Sequence, residues 1–286
     1  MGVQYEELIL TALLAAKRAG EAILDVYGSD FAVEHKDDKS PLTLADKRSH
    51  EIIMDVLEQT ITVNNGTVPV LSEEGRGIPF DERKEWEYFW LVDPLDGTKE
   101  FVKRNGEFTV NIALIRNHKP VLGIIYIPVK DVFYFAAIDF GTYKLENSES
   151  LFDNSVDNLS IKELLDKSQR LPLTNNNKSS FTVIGSRSHT SEEFSEFVKL
   201  LNEKYGEVEF ISSGSSLKLC LVAEGEADVY PRFGPTMEWD TAAGQAIVEQ
   251  AEGSVMDIQT REPLRYNKED LLNPFFIVSR QGVCFD

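Results

Sequence analysis

Apolar residues recur every three to four positions from about 4 to 27, at Leu10, Leu13, Leu14, Ala16, Ile23 and Val26. That spacing predicts an amphipathic helix, and Gly28 follows it as a stop. A second helix is expected from about 42 to 59, with Ile52, Ile53, Val56 and Leu57 on its inner side. The period then changes. Residues 68–71 read as a strand, and 89–92 as a short buried strand running into Asp93-Pro94. The stretches 107–116, 121–127 and 132–138 are rich in Val, Ile, Phe and Tyr. Turn signals at 117–120 and 129–131 separate them, so they are expected to form an antiparallel meander. From about 146 to 180 the chain is polar, with one short helix expected near 160–167. This stretch is the expected boundary between an N-terminal α+β half (1–150) and a C-terminal half (180–286). The second half alternates strands at 181–185, 208–211, 227–230 and 275–279 with helices at 191–204, 215–224 and 239–251, an α/β arrangement.

The chain has 286 residues and a net charge of −19. A surface this acidic repels polynucleotide backbones and anionic lipid, so polymeric nucleic acid is not an expected partner. A small anionic substrate would need a cation and a local basic pocket. Cys220 and Cys284 are the two cysteines, and no CxxC occurs, which removes thiolate zinc sites and thioredoxin-like chemistry. Glu6 and Glu7 stand where a signal peptide would carry basic residues, and the apolar run 8–16 is too short to span a bilayer.

The chemistry concentrates in four acidic elements. Asp93-Pro94-Leu95-Asp96-Gly97-Thr98 directly follows the 89–92 strand. Two carboxylates leaving a sheet together repel each other, so either one is protonated or a cation sits between them. With oxygen ligands alone, that cation is Mg2+ before Ca2+ or Mn2+. Glu73-Glu74 also stands at the C-terminal end of an apolar strand. Asp240 precedes a helical pattern, where a carboxylate is held ionised by the helix dipole. Asp46 lies in the first turns of the second helix. Each element has a plain alternative: a solvated turn, a surface Glu pair, an N-cap, a first-turn acid.

Taken in order, the segments Leu42–Asp46, Leu71–Glu74, Asp93–Thr98 and Glu238–Ala243 resemble the lithium-sensitive, metal-dependent phosphatase superfamily of inositol monophosphatase. Within it, four further segments resemble the 3'(2'),5'-bisphosphate nucleotidases of the bacterial CysQ type. These are DPLDGTKEF (93–101), Gly185–His189, Gly214–Lys218 and Tyr230–Thr236. Glu238, just before Trp239, adds a further acid near this set.

The resemblance implies a layered α/β/α/β/α fold of the α+β class, with most metal ligands in the first half and most substrate contacts in the second. It implies that Glu73, Asp93, Asp96 and Asp240, with the Leu95 carbonyl, bind two or three Mg2+ ions. It casts Asp46 and Thr98 as the pair that orients and deprotonates water, with Glu74 holding a metal-bound water. Gly97, Thr98, Arg187, His189, Gly214, Ser215, Lys218 and Arg232 become the substrate contacts. Ser215 and Ser216 also read as plain helix N-caps.

The activity implied is removal of the 3'-phosphate of adenosine 3',5'-bisphosphate, in sulfur assimilation and nucleotide turnover. The sulfated nucleotide 3'-phosphoadenylyl sulfate is a further candidate substrate. An inositol or broad sugar phosphatase, and a non-catalytic nucleotide- or metal-binding regulator, are the alternatives. A cytoplasmic location is expected, with peripheral contact at the inner membrane and the choice of monomer or homodimer left open.

Overall fold

The helical period at the N-terminus becomes α1 (Tyr5–Tyr27), ended at Gly28, whose N–H bonds the Leu24 carbonyl. A short antiparallel pair, β1 (Val33–His35) and β2 (Pro41–Thr43), precedes α2 (Leu44–Thr60). A second small pair, β3 (Thr62–Val63) and β4 (Gly66–Thr67), follows it. These assignments come from a computed structural model that describes residues 5–28, 33–35, 41–60, 62–63, 66–152, 159–173, 180–186, 191–283 and 285.

Next come β5 (Val70–Ser72), α3 (Phe80–Arg83), β6 (Tyr88–Asp96) and α4 (Thr98–Val102). The expected meander follows as β7 (Thr109–Arg116), β8 (Lys119–Ile127) and β9 (Val132–Ala137), continued by β10 (Gly141–Glu146). The β7–β8 turn is held by Asn117 and His118, both at positive φ, the backbone that a two-residue hairpin requires. The polar stretch contributes α5 (Glu149–Phe152), α6 (Ile161–Asp166) and β11 (Gln169–Leu171). β11 pairs with β10, so the seven-stranded sheet runs β11-β10-β9-β8-β7-β6-β5 and reaches well into that stretch. The second half supplies β12 (Thr182–Gly185), α7 (Glu192–Tyr205), β13 (Glu209–Ser212), α8 (Leu217–Glu224) and β14 (Val229–Arg232). It ends with α9 (Glu238–Gln250), β15 (Ser254–Asp257) and β16 (Phe276–Ser279). Its five-stranded sheet runs β13-β12-β14-β16-β15.

The large sheet is buried on both faces, which explains why its strands read as continuous apolar runs. Trp90, Val92, Ile112, Leu114, Ile124 and Phe135 face α1 and α2. The alternate residues Phe89, Leu91, Ala113, Ile125 and Tyr134 face α8 and α9, which pack on the second sheet through Val255, Phe276 and Val278. α7 covers the far face of that sheet around Val183, Leu201 and Val229. The order is thus α/β/α/β/α, the layered fold expected. Close approach of α9 to the large sheet depends on Gly123, where a Cβ would lie 2.3 Å from the Ala243 carbonyl oxygen. Among the described residues no helix is long and apolar enough to cross a membrane.

Candidate active site

β5 and β6 run parallel, so their C-terminal ends release Glu73 and Asp93 on the same side. The Glu73 N–H bonds the Val92 carbonyl at 3.1 Å, which ties the turn after β5 to the residue before Asp93. Asp93 and Asp96 are three apart and would point to opposite faces of a regular strand. A β-bulge prevents this. Asp93 pairs with Asn111 and Asp96 with Thr109, so four residues of β6 oppose three of β7. The extra residue returns Asp96 to the face of Asp93. The Leu95 N–H donates to Asp93 Oδ1 at 3.1 Å inside the bulge. Ser49, in the first turns of α2, donates to the Pro94 carbonyl at 2.7 Å and pins that helix beneath the turn.

Asp240 arrives from the other half, in the first turn of α9. Its Oδ2 accepts the Met237 N–H at 2.8 Å. Carboxylate oxygens of Glu73, Asp93 and Asp240 all lie within 4.8 Å of one another. Asp93 is 1% exposed. Burial first, then the charges of Glu73, Asp96, Asp240 and Asp46, hold its carboxyl well above the ordinary carboxylate range. Burial and Asp96 push Asp240 up to about 8, against the pull of the Met237 N–H and of Arg232. Five acids from four separate segments therefore act on one point. Crowded, oxygen-only, buried or half-buried and mutually repelling, they fit a hard divalent cation such as Mg2+.

Asp46 is buried in the first turn of α2, and its charge reaches Asp93. Thr98 is the first residue of α4, after Gly97 at φ 92°. A Cβ on Gly97 would meet the Ser215 Cβ at 3.2 Å and the Glu107 carbonyl oxygen at 3.3 Å. Glu74 lies in the turn beside His50, whose Nδ1 is 2.9 Å from Ser72 Oγ. The three-carboxylate group contains Glu73 and not Glu74.

A cleft of about 470 Å³ opens beside the acids and is lined by Asp96, Thr98, Ser215, Lys218, Arg232 and Asp240, among others. Gly214 also lines it and donates its N–H to Glu107 Oε2 at 2.8 Å, and Ser215 stands at φ 43° with its hydroxyl buried and unbonded. The buried Lys218 ammonium donates to the carbonyls of Ser213 and Ser215, so one task of this cation is to shape the loop. Burial lowers it to about 8, against the pull of Asp96, and Arg232 adds to the fall. Arg232 donates from Nη2 to the Pro235 carbonyl at 3.1 Å. A neighbouring recess of about 380 Å³ shares Ser186, Tyr230, Arg232 and Pro235 with the cleft and adds Phe194 and Phe233 as walls. Arg187 and His189 lie outside the described residues, as does Cys284; Cys220 is a buried thiol in α8.

Two residues noted in the sequence have partners that no local pattern shows. Ser216 does not cap α8 with its side chain. Its hydroxyl lies 2.7 Å from Asp96 Oδ2 and 2.8 Å from the Asp240 carbonyl, and it accepts from Asn111 Nδ2 at 2.9 Å. With one proton for two acceptors, Ser216 bridges the two halves at the acid cluster. The Gly-Ser-Ser run marked this place, but no local pattern announces partners 120 and 24 residues away. Glu238 does stand near the set, two residues before Asp240, but it is fully buried and its carboxylate is bonded to the backbone of 267–268.

The sequence pattern of the inositol monophosphatase family matches residues 4–284. The chain is similar to the 3'(2'),5'-bisphosphate nucleotidase CysQ of Salmonella typhimurium, at 45% identity over 266 residues, 92% of this chain and 96% of that one. CysQ of Escherichia coli K12 is 46% identical over 267 residues, with 92% and 96% covered. The crystal structure of CysQ from Bacteroides thetaiotaomicron, a bacterial member of the inositol monophosphatase family, superposes with a TM-score of 0.86. Its identity is 48%, over 98% of this chain and 99% of that one.

Proposed function

The chain belongs to the inositol monophosphatase family, in its CysQ-type branch, and from that premise we propose that it is a Mg2+-dependent phosphomonoesterase acting on adenosine 3',5'-bisphosphate, with AMP and phosphate as products. The observation that carries this reading is the convergence of Glu73, Asp93 and Asp240 within 4.8 Å at a cleft that also holds Lys218 and Arg232.

Glu73, Asp93, Asp96 and Asp240 would hold two or three Mg2+ ions, with the Leu95 carbonyl as a further ligand. Mg2+ bound there supplies positive charge that makes a water nucleophilic at neutral pH and stabilises the phosphoryl and leaving oxygens. The chain's own residues do the rest. Thr98 orients the attacking water through its hydroxyl, and Asp46 takes the proton that a threonine hydroxyl is too weak a base to keep. Water adds to phosphorus as the bond to the 3'-oxygen breaks, and that oxygen leaves with a proton as the 3'-hydroxyl. Glu74 steadies a water at the edge of the cluster. Gly97 and Gly214 let the backbone approach the substrate, and Ser215 offers it a hydroxyl.

Lys218 and Arg232 hold the phosphate that is not cleaved, with Arg187 and His189 completing the set. An Arg fork and a Lys point charge suit a bound, non-reacting phosphate. The recess walled by Phe194 and Phe233 offers apolar surface to a base, which an inositol phosphate would leave empty. This favours a nucleotide over the inositol alternative.

Phosphate release with and without Mg2+ tests the proposal. Adenosine 3',5'-bisphosphate is expected to be preferred over inositol 1-phosphate by about tenfold or more in kcat/KM. A preference of that size for inositol 1-phosphate overturns the nucleotide assignment, and no Mg2+-dependent release from either overturns the enzymatic one. The same assay with 3'-phosphoadenylyl sulfate decides whether the sulfated nucleotide is also a substrate.

A further inference from the structure

We infer that Arg83, the 267–269 loop and Glu238 form a clamp that sets the separation of Glu73 and Asp240, which makes Arg83 and Glu238 positioning residues for metal binding. The inference rests on the metal reading of the acid cluster and adds to it the question of what holds the cluster closed.

Glu73 and Asp240 belong to different layers and come from a turn and a helix that no sheet hydrogen bond joins. Their oxygens nonetheless lie within 4.8 Å. Each arm is fastened to the same third segment. On the Glu73 side the chain leaves the turn, forms α3 and reaches Arg83, which is only 2% exposed. Arg83 folds back on its own arm, with Nε donating to the Ile78 carbonyl at 3.3 Å. Its other nitrogens cross to the loop. Nη1 donates to Asn267 Oδ1 at 2.8 Å and to the Lys268 carbonyl at 2.6 Å, and Nη2 donates to the Glu269 carbonyl at 3.1 Å. Asn267 Nδ2 returns a bond to the Arg83 carbonyl at 2.7 Å.

On the Asp240 side, Glu238 is the first residue of α9 and stands two residues before the ligand. Its side chain is 0% exposed. Oε2 accepts the Asn267 N–H at 2.6 Å, and Oε1 accepts the Lys268 N–H at 3.0 Å and the Lys268 ammonium at 2.5 Å. The Glu238 N–H donates to the Leu271 carbonyl at 2.9 Å, so backbone and side chain are both held by one loop. Asn267 adopts φ 65°, a conformation Asn tolerates better than most residues, and this aims its N–H and side chain at opposite partners.

Burying a carboxylate and a guanidinium on either side of one loop costs free energy that apolar side chains would avoid. Such charged, directional bonds add orientational specificity to the positions that packing sets. Mg2+ demands that kind of placement, because it accepts oxygen ligands only near about 2.1 Å in octahedral directions. The clamp therefore serves the separation of two ligands, and its cost in stability is understandable on that ground.

Calorimetric titration of the substrate-free protein with Mg2+ tests this. Glu238→Gln and Arg83→Lys are expected to weaken Mg2+ binding by about tenfold, the usual effect of removing groups that orient metal ligands. The double variant should bind no worse than the weaker single one, since both break the same clamp. Leu164→Ala, a core truncation in α6, serves as a control: it lowers the melting temperature and leaves Mg2+ affinity unchanged. At saturating Mg2+ most of the turnover lost by Glu238→Gln should return. Should Glu238→Gln fail to fold, Lys268→Met removes one of three bonds to Glu238 and should still weaken binding measurably. Wild-type affinity in every folded clamp variant overturns the inference alone, whereas absence of Mg2+ binding by the wild type overturns the metal reading beneath it.

Discussion

Replacing Asp93 with asparagine should stabilise the metal-free protein while removing its response to Mg2+. Asp93 is buried, and it shares a 4.8 Å sphere with oxygens of Glu73 and Asp240. At that distance, and at an effective dielectric of about 20, each pair of carboxylates repels by about 3 kcal/mol. Proton uptake relieves much of this, and the repulsion adds to burial, the larger cause, in pushing the Asp93 and Asp240 carboxyls upward. The residual gain from Asp93→Asn is then about 1–3 kcal/mol near pH 8. For a chain of this length that raises the melting temperature by about 2–6 °C. Asparagine Oδ1 can still accept the Leu95 N–H, and its amide offers donors to the acids around it.

The pH dependence follows from the raised values. A carboxyl with a raised folded pKa contributes stability that is complete below the ordinary carboxylate range and is lost as pH rises through the folded value. In chelator, the wild type should therefore lose stability from about pH 4 to about pH 8, and the variant should lose less. Mg2+ at about a hundred times its dissociation constant should raise wild-type stability by about 2.7 kcal/mol and leave the variant unmoved. Thermal melts at several pH values, in chelator and in Mg2+, read all of this. A variant that melts below the wild type in chelator at pH 8, or that keeps the Mg2+ shift, refutes the reasoning.

Two further outcomes are expected. Ser216→Ala removes the hydroxyl between Asp96 and the Asp240 carbonyl and strands the buried Asn111 amide. It should cost about 1–3 kcal/mol in a denaturant melt and raise the Mg2+ concentration needed for half-maximal turnover; an unchanged Mg2+ requirement would show that the bridge is idle. Lys218, lowered to about 8, is charged below that pH and neutral above it, so KM for the bisphosphate should rise on the alkaline side. Lys218→Met should raise KM at neutral pH and flatten that limb, and a KM–pH profile that keeps its alkaline limb in the variant assigns it to another group.

The parts of the site that belong to single segments were legible in the sequence. Asp93 and Asp96 follow an apolar strand, Glu73 follows another, and Asp240 opens a helix; each pattern is local. Most strands and helices were legible, but their layering came only from the family resemblance. The alternation of residues such as Trp90 and Phe89 between two buried faces leaves a continuous apolar run that does not say what covers either face. β10, β11 and β15 were not. Their apolar positions are few, and β11 is an edge strand fixed by its partner β10. The partners of Ser216 and Glu238 were hidden for a related reason. A serine before a helix and a glutamate in its first turn are common for local reasons, and their partners at Asp96 and Asn267 lie 120 and 29 residues away. Gly97 and Gly214 are intermediate cases: the glycines are visible, but the neighbours that crowd a side chain there, Glu107 at both, Ser215 at Gly97 and Glu100 at Gly214, appear only in the fold.

The central claim is that acids from distant segments close on divalent ions. Crystals grown with Mn2+ in place of Mg2+ and measured at the manganese absorption edge test it most directly. An anomalous peak ligated by Glu73, Asp93 and Asp240, with a second beside Asp96, is the predicted result. Manganese bound only elsewhere on the surface, with the three carboxylates turned apart, would contradict it.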